Sequence, residues 1–472
     1  MNRQFSRRDF ISASALGALA GASVLADPVR AAAQSVGVRP ADLPDLTIKE
    51  VKVYVANLGP TLRRINSPES GEIVSLVTAS GIEGNYTLGN RVPGTGWLEY
   101  AKGVCLGKSV LDLLPALVAS ANERNHPTTA FGRNAGFVGG FGYPNGMRLG
   151  SIAETNYHAA IVDVCLWDIL GKSCGVPVYK LLGGPTRRQV PTYCHCSAGD
   201  SPEVFAANVK VCKSRGYRAL KTTLPLFYGE GNRGGDRHAV NGSGYSGTQG
   251  TVDSHWKETE YLDPSIFDRI REFFVAAREA GGPELGIAVD CHGRLNPKAA
   301  MRLCRVLEDL NLLFVEEPVP PENVEALALV QRETTIPIAA GERWATIYGV
   351  RPFLDKHAVD YLQCDLVNCG GITGMRKIAA LAEAHYIGMA PHNPNGPLAT
   401  VMNLHYAAAI PNFFILETIG SEADEKLTAQ LLENPVRFVD GALELPLGPG
   451  FGAKLNQEAL DGRPYVPYSG HR

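Results

Sequence analysis

Apolar and polar residues alternate along 46–54 (LTIKEVKVY) and again along 72–78 (EIVSLVT), with a turn of Ala79, Ser80 and Gly81 behind the second run. Period two over that length predicts two strands. Over 108–120 and 153–170 the apolar residues recur at spacings of three and four, which predicts helices. Strands followed by helices describe an α+β domain over 46–183. Past Gly183-Gly184-Pro185 the pattern changes to short apolar runs at 190–197, 219–223, 286–291, 312–316, 336–341, 361–365, 387–391 and 413–417, with helix-length amphipathic stretches between them. Eight such runs predict a (β/α) barrel over 184–432.

Three stretches stand outside this rhythm. Residues 228–258 are rich in Gly, Ser, Asn and Arg without periodicity, and are expected to form an excursion over the barrel mouth. The tail, 433–472, carries one more alternation (RFVDGALELP) and a Gly-Pro-Gly loop, and is expected to return to the N-terminal domain. Residues 1–33 place Arg7-Arg8 before a run rich in Ala, Gly and Ser that is too short and too polar to span a bilayer, with Ala31-Ala32-Ala33 behind it. That order predicts a removable twin-arginine export signal, a mature chain from about Gln34 and a periplasmic location.

Composition narrows the partners. Against 45 basic residues stand 48 acidic ones, a net charge of −3, so no electrostatic footprint for nucleic acid or an anionic membrane is present and no stable membrane insertion is expected. The ten cysteines are scattered without a CxxC pair, and Cys194 and Cys196 alternate along one strand candidate. Buried thiols are the expectation, even in an exported protein.

Barrel enzymes carry their working residues where strands end at the C-terminal mouth. Those positions here are Lys221, Asp290, Glu316, Glu342, Asp365, His392 and Glu417. Asp290, Glu316 and Glu342 on three adjacent strands would converge as carboxylates, an arrangement that a hard divalent cation neutralises; Mg2+ is the natural occupant and Mn2+ can replace it. His292 lies two residues beyond Asp290, so strand alternation would point both to one side. His392 ends the seventh strand beside Asp365, a dyad that orients the imidazole and raises its basicity. A base can take the α-proton of a carboxylic acid when a cation stabilises the enediolate formed. His392 would abstract that proton, and His292 would protonate a departing β-hydroxyl.

The segments VDCHGRLNP, FVEEP, IAAGERW, CGGITGMRKIAALAEAH, PHNPNGPLA and FFILET stand in this order. From residue 46 onward the chain resembles the enolase superfamily, in its mandelate racemase and muconate lactonizing enzyme subgroup, and among its members the galactonate, gluconate and mannonate dehydratases. The resemblance implies a modified TIM barrel, (β/α)7β, with an N-terminal α+β capping domain. It implies Mg2+ held by Asp290, Glu316 and Glu342, His292 as acid, His392 as base with Asp365 as its partner, and Glu417 stabilising the enolic intermediate. Lys221, Arg294 and Asn393 are the substrate-contact candidates, and 59–71, with Arg63, Arg64 and Glu69, is the candidate lid. A homo-oligomer and an acid-sugar substrate are implied as well. Where the racemases carry Lys-x-Lys on the second strand, this chain reads Lys221-Thr222-Thr223, which favours a His/His elimination with Lys221 facing the substrate carboxylate. Two readings stay open beside it: epimerisation or lactone cycloisomerisation through the same enediolate, and a non-catalytic sugar-acid binding protein.

Overall fold

A computed structural model describes residues 28–56, 72–87, 95–124, 151–226 and 264–461. The segment with Arg7-Arg8, the lid candidate 59–71 and the 228–258 excursion lie outside the described residues. In the N-terminal domain the strands β1 (Ile48–Ala56), β2 (Glu72–Thr78) and β3 (Glu83–Thr87) pair antiparallel beside helices Thr95–Cys105, Val110–Arg124 and Ser151–Ser173. Strand β3 (EGNYT) was not predicted, because Tyr86 is its one large apolar residue and it shows no alternation. Its place is set by tertiary contacts: the Asn85 N–H donates to Asp168, and a Cβ on Gly84 would stand 2.0 Å from the Cys165 carbonyl oxygen. Helix Pro28–Ser35 begins the described chain and buries Ala33 completely, so the expected leader boundary at residue 33 falls within an element that joins the core.

Eight parallel strands follow: β4 (Gln189–His195), β5 (Ala219–Thr223), β6 (Gly286–Asp290), β7 (Phe314–Glu316), β8 (Ile338–Ala340), β9 (Tyr361–Leu362), β10 (Gly388–Met389) and β11 (Leu416–Thr418). Each of β4 to β9 pairs with the next, and β11 pairs with β4. The ring closes where Met389 donates to the Asn412 carbonyl at 2.7 Å and accepts from the Phe414 N–H at 2.8 Å. The architecture is the α/β barrel with an α+β cap. Strand β11 covers only Thr192 to Cys194 of β4, which leaves the start of β4 free to take a hairpin, β12 (Phe438–Val439) and β13 (Ala442–Glu444), with Leu443 opposite Val190. A last strand, β14 (Leu460–Asp461), pairs with β1, so the C-terminal segment touches the barrel as well as the cap. No helix among the described residues is long and apolar enough to cross a membrane. All ten cysteines are buried free thiols.

Inside the barrel the residues form layers. Tyr193, Ala219, Ala288, Phe314, Ala339, Ala390 and Ile415 make one apolar cluster. Two residues further along the same segments stand His195, Lys221, Asp290, Glu316, Gly341, His392 and Glu417. Period two carries both sets inward, so an apolar floor lies beneath a polar layer at the C-terminal mouth.

The cap is latched to the barrel by a carboxylate. Helix Gly371–Ala384 has Gly370 at its N-cap and no side-chain cap of its own. Asp163 of the cap fills that role, accepting the Thr373 N–H at 3.1 Å and the Thr373 hydroxyl, which in turn accepts from Trp167 Nε1 at 3.0 Å. Gly371, at φ 75°, makes room, since a Cβ there would stand 2.4 Å from Asp163 Oδ2. Burial raises the Asp163 pKa from 3.8 to about 7 against the hydrogen bonds from Thr373. A raised carboxyl pKa means that the folded state holds the proton more tightly than the unfolded chain. The stabilisation is therefore complete below about pH 4 and is lost as pH rises through about 7. Asp163→Asn is expected to flatten the stability profile between those limits by a few kcal/mol. Parallel denaturation curves of both proteins from pH 4 to 8 check this; equal slopes would contradict it.

Candidate active site

Asp290 and Glu316 close their strands, Lys221 and Glu417 lie within β5 and β11, and Glu342, Asp365 and His392 stand beyond β8, β9 and β10 in the loops that follow. The apolar runs reach these residues in sequence, whereas the ladders stop earlier. At Gly341 the backbone takes φ 137° and passes so near Gln363 that a Cβ would lie 3.0 Å from its nitrogen. This turn delivers Glu342 to the mouth.

Asp290, Glu316 and Glu342 each offer an oxygen, and the three oxygens lie within 4.8 Å of one another. Three acids at this distance and burial repel strongly. Lys221, only 5% exposed, answers part of that charge: its Nζ stands 2.9 Å from Glu316, 2.7 Å from Glu417 and 3.6 Å from Asp290. Glu316 Oε2 also accepts from Gln363 Nε2 at 2.8 Å, while its Oε1, buried, has no hydrogen-bond partner among the described residues. Burial raises Asp290 to about 6 and Glu316 to about 7, with Lys221 opposing in both. Three carboxylate oxygens this close together, on acids of which one also carries a buried orphaned oxygen, fit a hard divalent cation, and these three residues would hold it.

FVEEP offers two glutamates and the fold distinguishes them. Glu317 leaves the strand at φ 39°, is 1% exposed and binds Arg343, whose Nη2 reaches Glu342 Oε1 at 3.2 Å. Arg343 and Gln363 are second-layer residues that the sequence reading missed. Arg343 directly follows a ligand in IAAGERW; Gln363 shows no pattern beyond being polar in an apolar run.

His292 joins the site by a different route from the one expected. Strand β6 ends at Asp290, and His292 sits in the next turn at φ 48°, so alternation does not orient it. Its N–H donates to Asp290 Oδ1 at 2.8 Å and its Nε2 lies 3.2 Å from Asp290 Oδ2. Burial lowers its pKa to about 4. His392 Nδ1 bonds Asp365 Oδ2 at 2.8 Å, and its Nε2 lies 3.2 Å from Glu342 Oε2. Asp365 is itself fixed by the Val367 N–H at 2.8 Å and by Asn395 at 3.0 Å. Burial would lower the His392 pKa, but Glu342, Glu417 and Asp365 outweigh it and raise it to about 10.

The remaining candidates divide. Lys221 is spent on carboxylates of the protein rather than left open for substrate. Asn393, 1% exposed, gives its amide to Thr400 Oγ1 and the Glu417 carbonyl and takes a bond from Asn403, while its backbone N–H holds Glu417 Oε2 at 2.7 Å. It builds the wall instead of facing the cavity. Arg294 is half-buried in the turn after β6, its N–H on the Cys291 carbonyl at 3.1 Å.

A family profile described as enolase C-terminal domain-like matches residues 238–459. A D-galactonate dehydratase family member of Streptomyces bingchenggensis is 34% identical over 329 residues, 68% of this chain and 76% of that protein. A D-mannonate dehydratase of Caulobacter sp. (strain K31) is 32% identical over 336 residues, covering 68% and 78%. Among solved structures, an enolase superfamily member from Salmonella Typhimurium superposes with a TM-score of 0.66 at 26% identity over 88% of this chain and 97% of that one. A mandelate racemase/muconate lactonizing enzyme-like protein from Rubrobacter xylanophilus gives 0.68 at 27%, over 88% and 97%.

Proposed function

Because the chain belongs to the enolase superfamily, in its mandelate racemase and muconate lactonizing enzyme branch, we propose that it is a hydro-lyase that removes water from an acid sugar. The observation that carries this reading is the pair of histidines bonded to opposite ends of one carboxylate cluster, His292 on Asp290 and His392 beside Glu342. Relatives named as dehydratases of galactonate, mannonate and xylonate support the substrate class.

The chemistry is assigned to the side chains as follows. His392 Nε2, its ring held at Nδ1 by Asp365, takes the α-proton of the substrate acid. The electron pair of that C–H bond becomes the C–C double bond as the β C–O bond breaks. His292 gives its proton to the leaving hydroxyl, which departs as water, and the enol tautomerises to a 2-keto-3-deoxy acid. An anionic substrate raises the affinity of His292 for that proton. Asp290, Glu316 and Glu342 would hold a divalent cation, Mg2+ or Mn2+, which when bound supplies Lewis acidity to the substrate carboxylate and offsets the negative charge around His392. Lys221 and Glu417 fix the opposite wall. With Thr223 where a second lysine would stand, the second strand supplies no base of its own, which supports elimination over racemisation.

Incubation of the purified protein and Mg2+ with a panel of aldonic and aldaric acids, read by mass spectrometry, tests the assignment. A product lighter by one water supports it. Exchange of the α-proton in deuterium oxide without loss of water would overturn dehydration in favour of epimerisation. We also assign the mature enzyme to the periplasm on Arg7-Arg8 and the run behind it, which fractionation of cells expressing the full chain, with an Arg7→Lys/Arg8→Lys control, checks.

A further inference from the structure

His195, the last residue of β4, has no part in the scheme above, yet it occupies the polar layer. It lies two residues beyond Tyr193 of the floor, and its Cα is paired with Lys221 across the β4–β5 ladder. Its Nε2 stands 2.6 Å from Glu417 Oε1. Glu417 is a carboxylate in which burial is outweighed by Lys221, His392 and His195, so it stays ionised and accepts only. His195 is therefore the donor, in the Nε2–H tautomer. Its side chain is 42% exposed, against 5% for Lys221 and 17% for each of His292 and His392. The bond thus reaches Glu417 from the open side of the mouth.

We infer that His195 is a positioning residue: it fixes the carboxylate plane of Glu417 so that Oε2, rather than Oε1, is turned toward the reacting end of the substrate. Two donors meet at Oε1, Lys221 Nζ at 2.7 Å from below and His195 Nε2 at 2.6 Å from the mouth. Among the described residues Oε2 accepts only the Asn393 N–H, at 2.7 Å, and it lies 4.0 Å from His392 Nε2. Lys221 alone does not set that plane, because its ammonium is shared with Glu316 and Asp290. Charge-assisted bonds from two directions lock a side chain far better than one. Without His195 the Glu417 carboxylate keeps one partner on each oxygen, Lys221 and the Asn393 N–H, and its plane is held less tightly against the base. The role of Glu417 in turnover rests on the acid-sugar reading; the bond itself does not.

The test compares His195→Phe, which keeps a ring without a donor, with His195→Gln, whose Nε2–H2 can replace the histidine donor. On whichever acid sugar is turned over, His195→Phe is expected to lower kcat about 10-fold with KM within about 2-fold, and His195→Gln to recover most of the loss. A His195→Phe enzyme that matches wild type, or a Gln variant no better than Phe, overturns the inference. Independently of substrate, protein labelled with 15N-histidine is expected to show one protonated Nε2 whose proton is shifted downfield, which disappears in His195→Phe and moves upfield in Glu417→Gln, where a neutral amide replaces the carboxylate. Lack of that signal in wild type overturns the bond. If the signal is present and depends on Glu417 while no acid sugar reacts, the acid-sugar reading fails and this assignment stands.

Discussion

Asn in place of His392 is expected to reduce kcat by about three orders of magnitude while leaving substrate affinity within a few fold. The amide of Asn is short enough to stay bonded to Asp365 and polar enough to sit in the same wall, but it has no basic nitrogen where Nε2 stands. The fold should survive, since Asp365 keeps its bonds from the Val367 N–H and Asn395. The neighbours that lose a cationic partner are Asp365, 2.8 Å away, Glu342, 3.2 Å away, and Glu417, 4.0 Å away. Glu417 retains Lys221 and His195, and Glu342 retains Arg343. Steady-state kinetics and calorimetric binding of the same acid sugar check the split. Turnover within 10-fold of wild type would remove His392 from the role of base, whereas a wild-type turnover that the variant loses at unchanged affinity would exclude a binding protein as the natural function. Asp365→Asn, which keeps His392 but misplaces its proton, is expected to fall between the two.

How much of this was legible in the sequence depended on whether a residue's place follows from periodicity. Eight apolar runs at regular spacing mark eight strands, and the acids that interrupt or close them mark the mouth. Glu342, Asp365 and His392 were found although they lie beyond their strands, because the loops that carry them continue the apolar run by only two or three residues. His292 was placed on the right side for the wrong reason: a left-handed turn, not strand alternation, brings it to Asp290. Asn393 was misread because its motif lies beside His392, while its side chain is consumed by Thr400, Glu417 and Asn403, none of which the local sequence singles out. His195 was overlooked because the first apolar run continues to 197, two residues beyond the strand that His195 closes, and only the floor residue Tyr193, two positions earlier, shows that it belongs to the polar layer. Strand β3 and the Asp163 latch depend on partners about 80 and 210 positions away, and no window of sequence contains them.

The second large effect expected is a reversal of sign at Glu316. In the metal-free protein Glu316→Gln should melt at or above wild type, because the change removes one of three buried charges that repel each other. The new amide can also keep its oxygen toward Lys221 and Gln363, which now bind Oε2 at 2.9 and 2.8 Å. Its Nε2 then takes the position of the orphaned Oε1, so the buried group that lacks a partner there is no longer part of a charge. With Mg2+ the order should invert. Binding to the folded state alone adds RT ln(1 + [Mg2+]/Kd), about 2.7 kcal/mol at a hundred times Kd, and raises the melting temperature of wild type. The variant presents an amide nitrogen to the ion and cannot replace the lost ligand, so its melting temperature should not move and its kcat should be undetectable. Melting curves of both proteins with EDTA and with rising Mg2+ decide the matter. A variant that gains as much from Mg2+ as wild type would place the ion elsewhere, and a variant that melts far below wild type without metal would mean that Lys221 pairing, not carboxylate repulsion, dominates the empty triad.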